Sequence, residues 1–282
     1  MIATENSLSV VAKSATAKQA ADVEPDAARL SDSDPVPNPA PGRYETRLAS
    51  SAEDLALSQK LRFNVFAKEM GADVGAGEDQ LDQDRFDQHC DHLLVFDRET
   101  AELVSSTRLL DRAGAEAVGS YYSETEFEMS AIKALPGNLL EVGRTCVHSD
   151  YRNGAVIASL WQGLGSYIQQ RGVAYVMGCA SIEWGSDGAM VHAVTRRMQK
   201  RFMTPPELRV TPKIAVPHAE GEAVISAIKI PPLMKAYVSL GALVCGDPCW
   251  DKAFAVADLL VLLRTEDMAS RYARHFLKQQ ET

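Results

Sequence analysis

Residues 139–164, LLEVGRTCVHSDYRNGAVIASLWQGL, put a carboxylate and a guanidinium inside an apolar strand pattern and follow it with a basic, glycine-containing turn. An apolar helical pattern then begins. Buried charge is costly unless it is paired or used, so Glu141 and Arg144 constrain the fold more than any other feature. In a regular strand, side chains three apart point to opposite faces. Gly143 lies between them at a natural bulge position, which would re-aim one side chain and splay the strand from its neighbour. A splayed strand frees a backbone N–H that can receive a carbonyl oxygen. The alternative is a structural Glu141–Arg144 ion pair at a sheet end. The turn from Arg152 through Gly154, Ala155 and Val156 offers free N–H groups and the positive end of a helix dipole, which suits a phosphate. An ordinary strand-to-helix turn with a surface arginine would read the same way.

The surrounding chain supplies the rest of a sheet. RYETRL alternates as a strand from Tyr44. A helix follows, with Ser50 and Glu53 as its capping signature and Leu57, Leu61 and Val65 at helical spacing. After the acidic run GEDQLDQDRFDQHCD, HLLVFD and ELVSSTRLL read as a β-hairpin. Ile157, Leu160, Trp161, Leu164 and Ile168 share one face of the helix that Gly172 ends. VAYVMGCASI is a strand, 187–202 a helix, PPLMKAYVSLG a helix with its prolines at the start, VADLLVLLR a late strand, and a terminal helix closes the chain. Strands around a strand–loop–helix–strand unit predict one α/β domain over 43–282, a mixed twisted sheet with helices on both faces. Residues 1–42, rich in Ala, Ser, Asp and Pro, read as a disordered tail, with a short Ala-rich helix near 10–22.

Totals exclude several classes. A net charge of -9 argues against general nucleic-acid binding. Five irregularly spaced cysteines read as reduced thiols. No stretch approaches a membrane span of ~20 apolar residues, and no basic–apolar leader opens the chain. The expected location is cytoplasmic.

The strand–bulge–loop–helix–strand order resembles the GNAT acyltransferases, whose loop holds the phosphate of a thioester donor. Arg62-Phe63-Asn64-Val65-Phe66, Asp84-Arg85-Phe86-Asp87, Arg108 and Glu141-Val142-Gly143-Arg144 have a spacing similar to the acyl-homoserine-lactone synthases. FNVFAKEMGA, the acidic run, LEVGRTCV and PPLMKAY more closely resemble the ornithine N-acyltransferases of ornithine-lipid synthesis. Ala236 stands where that family more often has glycine. The resemblance covers roughly 44–265 and implies transfer of a 3-hydroxy fatty acyl group from acyl carrier protein to the α-amine of L-ornithine. It implies no cofactor of the enzyme's own, because 4′-phosphopantetheine arrives on the carrier. A lipid product further implies peripheral contact with anionic membrane at the inner face of the bacterial cell membrane.

Direct aminolysis of a thioester needs a base for the amine, a donor for the developing oxyanion and a grip on the acyl arm. On this resemblance Glu141 is the base, and Arg144 steadies it or receives the substrate carboxylate. Asp84 and Asp87 bind the ornithine side-chain ammonium or pair with Arg62 and Arg108. Arg152, Gly154, Ala155 and Val156 hold the phosphopantetheine, and Phe66, Leu140 and Val142 line an acyl channel. Rival readings are a glycine N-acyltransferase, an acyl-homoserine-lactone synthase and a non-catalytic module binding carrier protein or lipid.

Other signals carry less. Cys146 in a buried pattern reads as inert packing rather than a nucleophile. His92 and Asp97 echo a His-x4-Asp acyltransferase motif but face opposite sides of a strand. Asp87, His89, Cys90 and His92 fit no usual zinc spacing, so no metal is expected. Arg196, Arg197, Lys200 and Arg201 form a basic helix end, either a carrier-docking patch or a solvated last turn favoured by the dipole.

Overall fold

A computed structural model of the chain describes residues 42–75, 78–185, 188–218 and 230–268. The tail, the short helix near 10–22 and the terminal helix expected after the late strand lie outside the described residues.

The strands are β1 Tyr44–Leu48, β2 Asp91–Asp97, β3 Leu103–Leu110, β4 Phe127–Glu128, β5 Asn138–Val147, β6 Val173–Glu183, β7 Thr211–Pro212, β8 Leu243–Val244, β9 Cys249–Asp251 and β10 Val256–Arg264. The helices are α1 Ala52–Phe63, α2 Arg112–Val118, α3 Ser130–Lys133, α4 Gly154–Gln170, α5 Ala189–Phe202 and α6 Pro232–Leu240. The main sheet runs β1-β2-β3-β5-β6-β10-β8, with β9 also on β10, while β4 and β7 form a separate ribbon. Every pairing in the main sheet is antiparallel except β5 with β6, which α4 connects. This is the mixed α/β sheet that the strand–loop–helix–strand pattern predicts. β10 reads as continuously apolar because both its faces are covered; only Asp258 interrupts the run.

Two apolar layers sandwich the sheet. Val156, Leu160, Leu164 and Ile168 of α4 pack on Leu93, Leu109 and Leu140. On the other face Phe86, Tyr121, Phe127 and Ile132 pack on Leu139, Met177 and Leu260. The successive residues Leu139 and Leu140 therefore serve opposite layers, as strand alternation requires.

α1 departs from the expected pattern. Its N-cap is Ser51, whose hydroxyl accepts from the Asp54 N–H, so the helix starts one residue later than Ser50 implies. Leu57 is 48% exposed, while Ser58, Gln59 and Arg62 are buried alongside Leu61. The face turned inward is polar because it meets a charge network rather than the oily core. The helix continues through Asn64–Glu69 as a π-helical segment, which carries Val65 and Phe66 onto Cys146. No helix among the described residues is long and apolar enough to cross a membrane.

Candidate active site

β5 and β6 pair from Asn138 and Val173 only as far as Glu141 and Met177, then part. β5 meanwhile stays on β3, with a register irregularity opposite Ser106 and Arg108. The expected bulge exists one residue beyond Gly143, where Arg144 adopts φ 50°. A non-glycine residue there carries strain of roughly 1–2 kcal/mol. The strands remain in contact at one point beyond the pairing. A Cβ on Gly178 would collide with the backbone carbonyl oxygen of Val142, so only glycine allows that approach.

A mostly apolar cavity occupies the fork. Leu160, Trp161 and Leu164 of α4, Val142 of β5, and Tyr237 and Leu240 line its outer length. Its inner end is formed by Met177, Gly178, Cys179, Thr107 and Thr145. Val176 belongs to the α4 layer and Met177 to the opposite one, and both line the cavity. A second apolar hollow shares Trp161, Leu164, Val176, Leu240 and Leu263 and continues along α4 to Ile168 and Met268. Of the three residues expected in an acyl channel, Val142 lines the cavity, whereas Leu140 packs under α4 and Phe66 under β5.

Behind the inner end lies a chain of acidic and hydroxyl groups. Glu141 is buried, and its carboxylate accepts from the Tyr122 N–H at 2.7 Å, the Ser123 N–H at 2.7 Å and the Ser123 hydroxyl. Burial pushes this carboxyl up while the hydrogen bonds hold it down, leaving a net rise. No Glu141–Arg144 ion pair forms among the described residues. Ser123 Oγ is 3.4 Å from Cys179 Sγ, which in turn is 3.5 Å from Glu126 Oε2. Glu141 therefore reaches the cavity through Ser123 and Cys179 rather than directly. Glu126, Asp251 and Asp258 bring carboxylate oxygens within 4.8 Å of one another. Burial and the neighbouring carboxyls push Glu126 up to about 9 and Asp258 up to about 6. Sequence reasoning missed Ser123, Glu126, Cys179 and Asp251. Asp258, the one acid in VADLLVLLR, was the visible signal.

Asp84 and Asp87 adopt the second of the two roles open to them. Asp87 accepts from Arg62 at 2.8 Å, Arg108 at 3.0 Å and Gln59 at 3.0 Å, and Asp84 accepts from Arg108 at 2.7 Å. Arg62, fully buried, also binds Asp82 at 2.8 Å. Arg144 Nε lies 3.3 Å from Asp82, and its guanidinium sits over the Tyr122 and Phe254 rings, 4.8 Å from each centroid. Three arginines and three aspartates thus neutralise one another between α1, β3 and β5.

The turn before α4 is self-capped. The Asn153 side chain accepts from the Ala155 and Val156 N–H groups at 3.0 and 3.2 Å, so neither faces solvent unpaired. Val156 is fully buried, and Arg152 pairs with Glu69. Gly154 and Ala155 are exposed at the start of α4. A phosphate could use Ala155 and Val156 only by displacing the Asn153 cap.

Burial pushes the Cys146 thiol up to about 12 and Cys179 well above its usual range, which suits packing and not nucleophilic attack. His92 Nε2 contacts the Asp87 carbonyl oxygen, and Asp97 pairs with Arg43. Arg196, Lys200 and Arg201 are exposed on α5.

Comparison with known proteins gives the same frame. Residues 61–162 match the family model described as acetyltransferase (GNAT) domain. An L-ornithine N(alpha)-acyltransferase of Brucella abortus (strain 2308) is 32% identical over 262 residues, spanning 83% of this chain and 89% of the relative. That of Rhizobium meliloti (strain 1021) is 34% identical over 248 residues, spanning 82% and 83%. Among solved structures, the CoA-dependent acyl-homoserine lactone synthase BjaI with SAM and isopentyl-CoA superposes with a TM-score of 0.50 at 13% identity, covering 81% of this chain and 82% of that one. FeeM, an N-acyl amino acid synthase from uncultured soil microbes, gives 0.50 at 13%, covering 83% and 98%. These two likenesses establish the fold.

Proposed function

The chain belongs to the L-ornithine N(alpha)-acyltransferase family, GNAT acyltransferases that act on an amine, and we propose that it moves a 3-hydroxy fatty acyl group from acyl carrier protein to the α-amine of L-ornithine. The observation that carries this reading is the apolar cavity in the β5–β6 fork, lined by Cys179, whose thiol contacts Ser123 and Glu126 behind it. An acyl chain lies along Leu160, Leu164 and Val176, and its thioester carbon stops at the inner end. The parted β5 backbone supplies N–H groups toward the developing oxyanion.

The α-amine must be neutral to attack. Glu141 takes its proton through Ser123 Oγ, and burial raises this carboxyl toward the range useful to a base. The C–N bond forms, the C–S bond breaks and the carrier thiol leaves with a proton. Arg144, beside the fork with its charge shared among Asp82, Asp84 and the Tyr122 hydroxyl, receives the ornithine carboxylate. Because the product would be a lysolipid, the enzyme works at the inner face of the membrane. The exposed basic residues of α5 dock the acidic carrier.

The test is purified full-length protein with 3-hydroxyacyl carrier protein and separate amino acids, read by mass spectrometry. Nα-acylornithine is expected. Exclusive acylation of glycine, or acyl-homoserine lactone formed with S-adenosylmethionine, would overturn the assignment.

A further inference from the structure

The three carboxyls Glu126, Asp251 and Asp258 sit on the far side of Cys179 from the cavity, and the charge network around Arg62 does not use them. Glu126 is 7% exposed and Asp258 3%, yet Glu126 Oε1 and Asp258 Oδ1 have no hydrogen-bond partner among the described residues. No lysine or arginine among those residues forms an ion pair with any of the three; Arg144 turns its guanidinium to Asp82 and the Tyr122 hydroxyl instead. These two orphan acceptors belong to a cluster whose carboxylate oxygens come within 4.8 Å of one another, completed by the half-buried Asp251, whose Oδ1 accepts from the Ala253 and Phe254 N–H groups. Such a cluster suits a group that brings only donors.

We infer that Glu126, Asp251 and Asp258 form the subsite for the side-chain ammonium of the amino-acid acceptor. This rests on the proposed acceptor reading and assigns its specificity to a place other than Asp84 and Asp87, whose charges are met by Arg62, Arg108 and Arg144, although Asp84 Oδ2 has no hydrogen-bond partner among the described residues. The spacing fits. Contacts of 3.4 and 3.5 Å in series separate Ser123 Oγ, where the α-amine would lose its proton, from Glu126 Oε2. An extended three-methylene side chain spans about 6 Å between its two nitrogens. Cys179 between them presents a soft, uncharged wall to the methylenes. Titration is consistent: without a cation, burial and then the neighbouring acids keep a proton on Glu126, and an entering ammonium would replace that proton.

The experiment compares ornithine with norvaline, the isostere that lacks the ammonium, in full-length wild type, Glu126→Gln and Asp258→Asn. Both changes keep size and remove charge. Wild type is expected to prefer ornithine in kcat/KM, and each variant to lose tenfold or more of that preference, chiefly through KM for ornithine. If a variant folds without turning over, calorimetric dissociation constants for the two amino acids replace the kinetic ratio. A preference retained in both variants overturns the subsite while leaving the ornithine reading intact. Wild type that acylates neither amino acid overturns the function itself. Tight binding of Mg2+ or Zn2+ that Asp258→Asn abolishes, with a chelator erasing wild-type activity, also overturns the ammonium assignment.

Discussion

Gly178 on β6 lies against the carbonyl oxygen of Val142 on β5, so closely that a methyl group would overlap it. Both residues line the cavity, so this contact sets the width of the fork. Gly178→Ala must push the strands apart or twist β6 off β10. We expect a loss of about 1–3 kcal/mol in urea melts and a fall in acyl transfer of tenfold or more. Unchanged turnover would show that the fork width is unimportant.

The cap at α4 separates stability from donor binding. Asp and Asn cap a helix about equally well, so Asn153→Asp should leave the melting temperature within a degree or two. It places negative charge where the phosphate arm would lie. Steady-state kinetics should show KM for acyl carrier protein rising severalfold. Unaltered KM would remove the turn from donor recognition.

Burial alone would raise the Asp87 carboxyl, but the Arg62 and Arg108 guanidiniums reverse this and hold it at about 2. A carboxyl lowered on folding stabilises above its unfolded value near ~3.9. That stability is lost as pH falls from about 4 toward 2, and acid unfolding should begin there. Arg62→Met removes the buried cation that Asp82 and Asp87 share, leaving them only Arg144 and Arg108, and should cost about 3–5 kcal/mol in denaturant melts at neutral pH.

Glu126 titrates in the opposite sense. Its raised value means that folding retains a proton, so its contribution is full below the unfolded value near ~4.3 and is lost as pH rises toward 9. Thermal melts of the wild type from pH 5 to 9 should slope downward. Glu126→Gln should flatten that slope and melt higher at pH 8. Parallel curves would mean that Glu126 is ionised in the folded protein.

Chain length should respond to the cavity wall. Val176 borders both the fork cavity and the hollow beyond it. Val176→Phe should shift acceptance toward shorter acyl carriers, seen as a changed product distribution by mass spectrometry. An unchanged distribution would place the acyl tail elsewhere.

The strand carrying Glu141 and Arg144, the hairpin, α4 and the late strand were legible because each has a clean period and a polar or glycine boundary. Leu57 misled because periodicity marks an apolar row without saying whether the inward face is oily, and here Arg62 and Gln59 point inward. The bulge was foreseeable from Gly143, but its placement at Arg144 depends on how β5 stays registered with β3. Ser123 and Glu126 were hidden because they lie in an irregular segment. Tertiary closure, not local pattern, carries them to Glu141 and Asp258, and no spacing rule encodes that.

The gap between β5 and β6 is a slot in the sheet, with oil along its length and acid behind Cys179. If a fatty tail and a charged head met inside it, they would come from opposite directions and need not queue for one doorway. The finished amide would then be threaded across the wall, anchored at both ends. Departure would mean drawing the whole head through the slot or the whole tail back, which makes release, rather than bond making, the natural bottleneck of such an architecture.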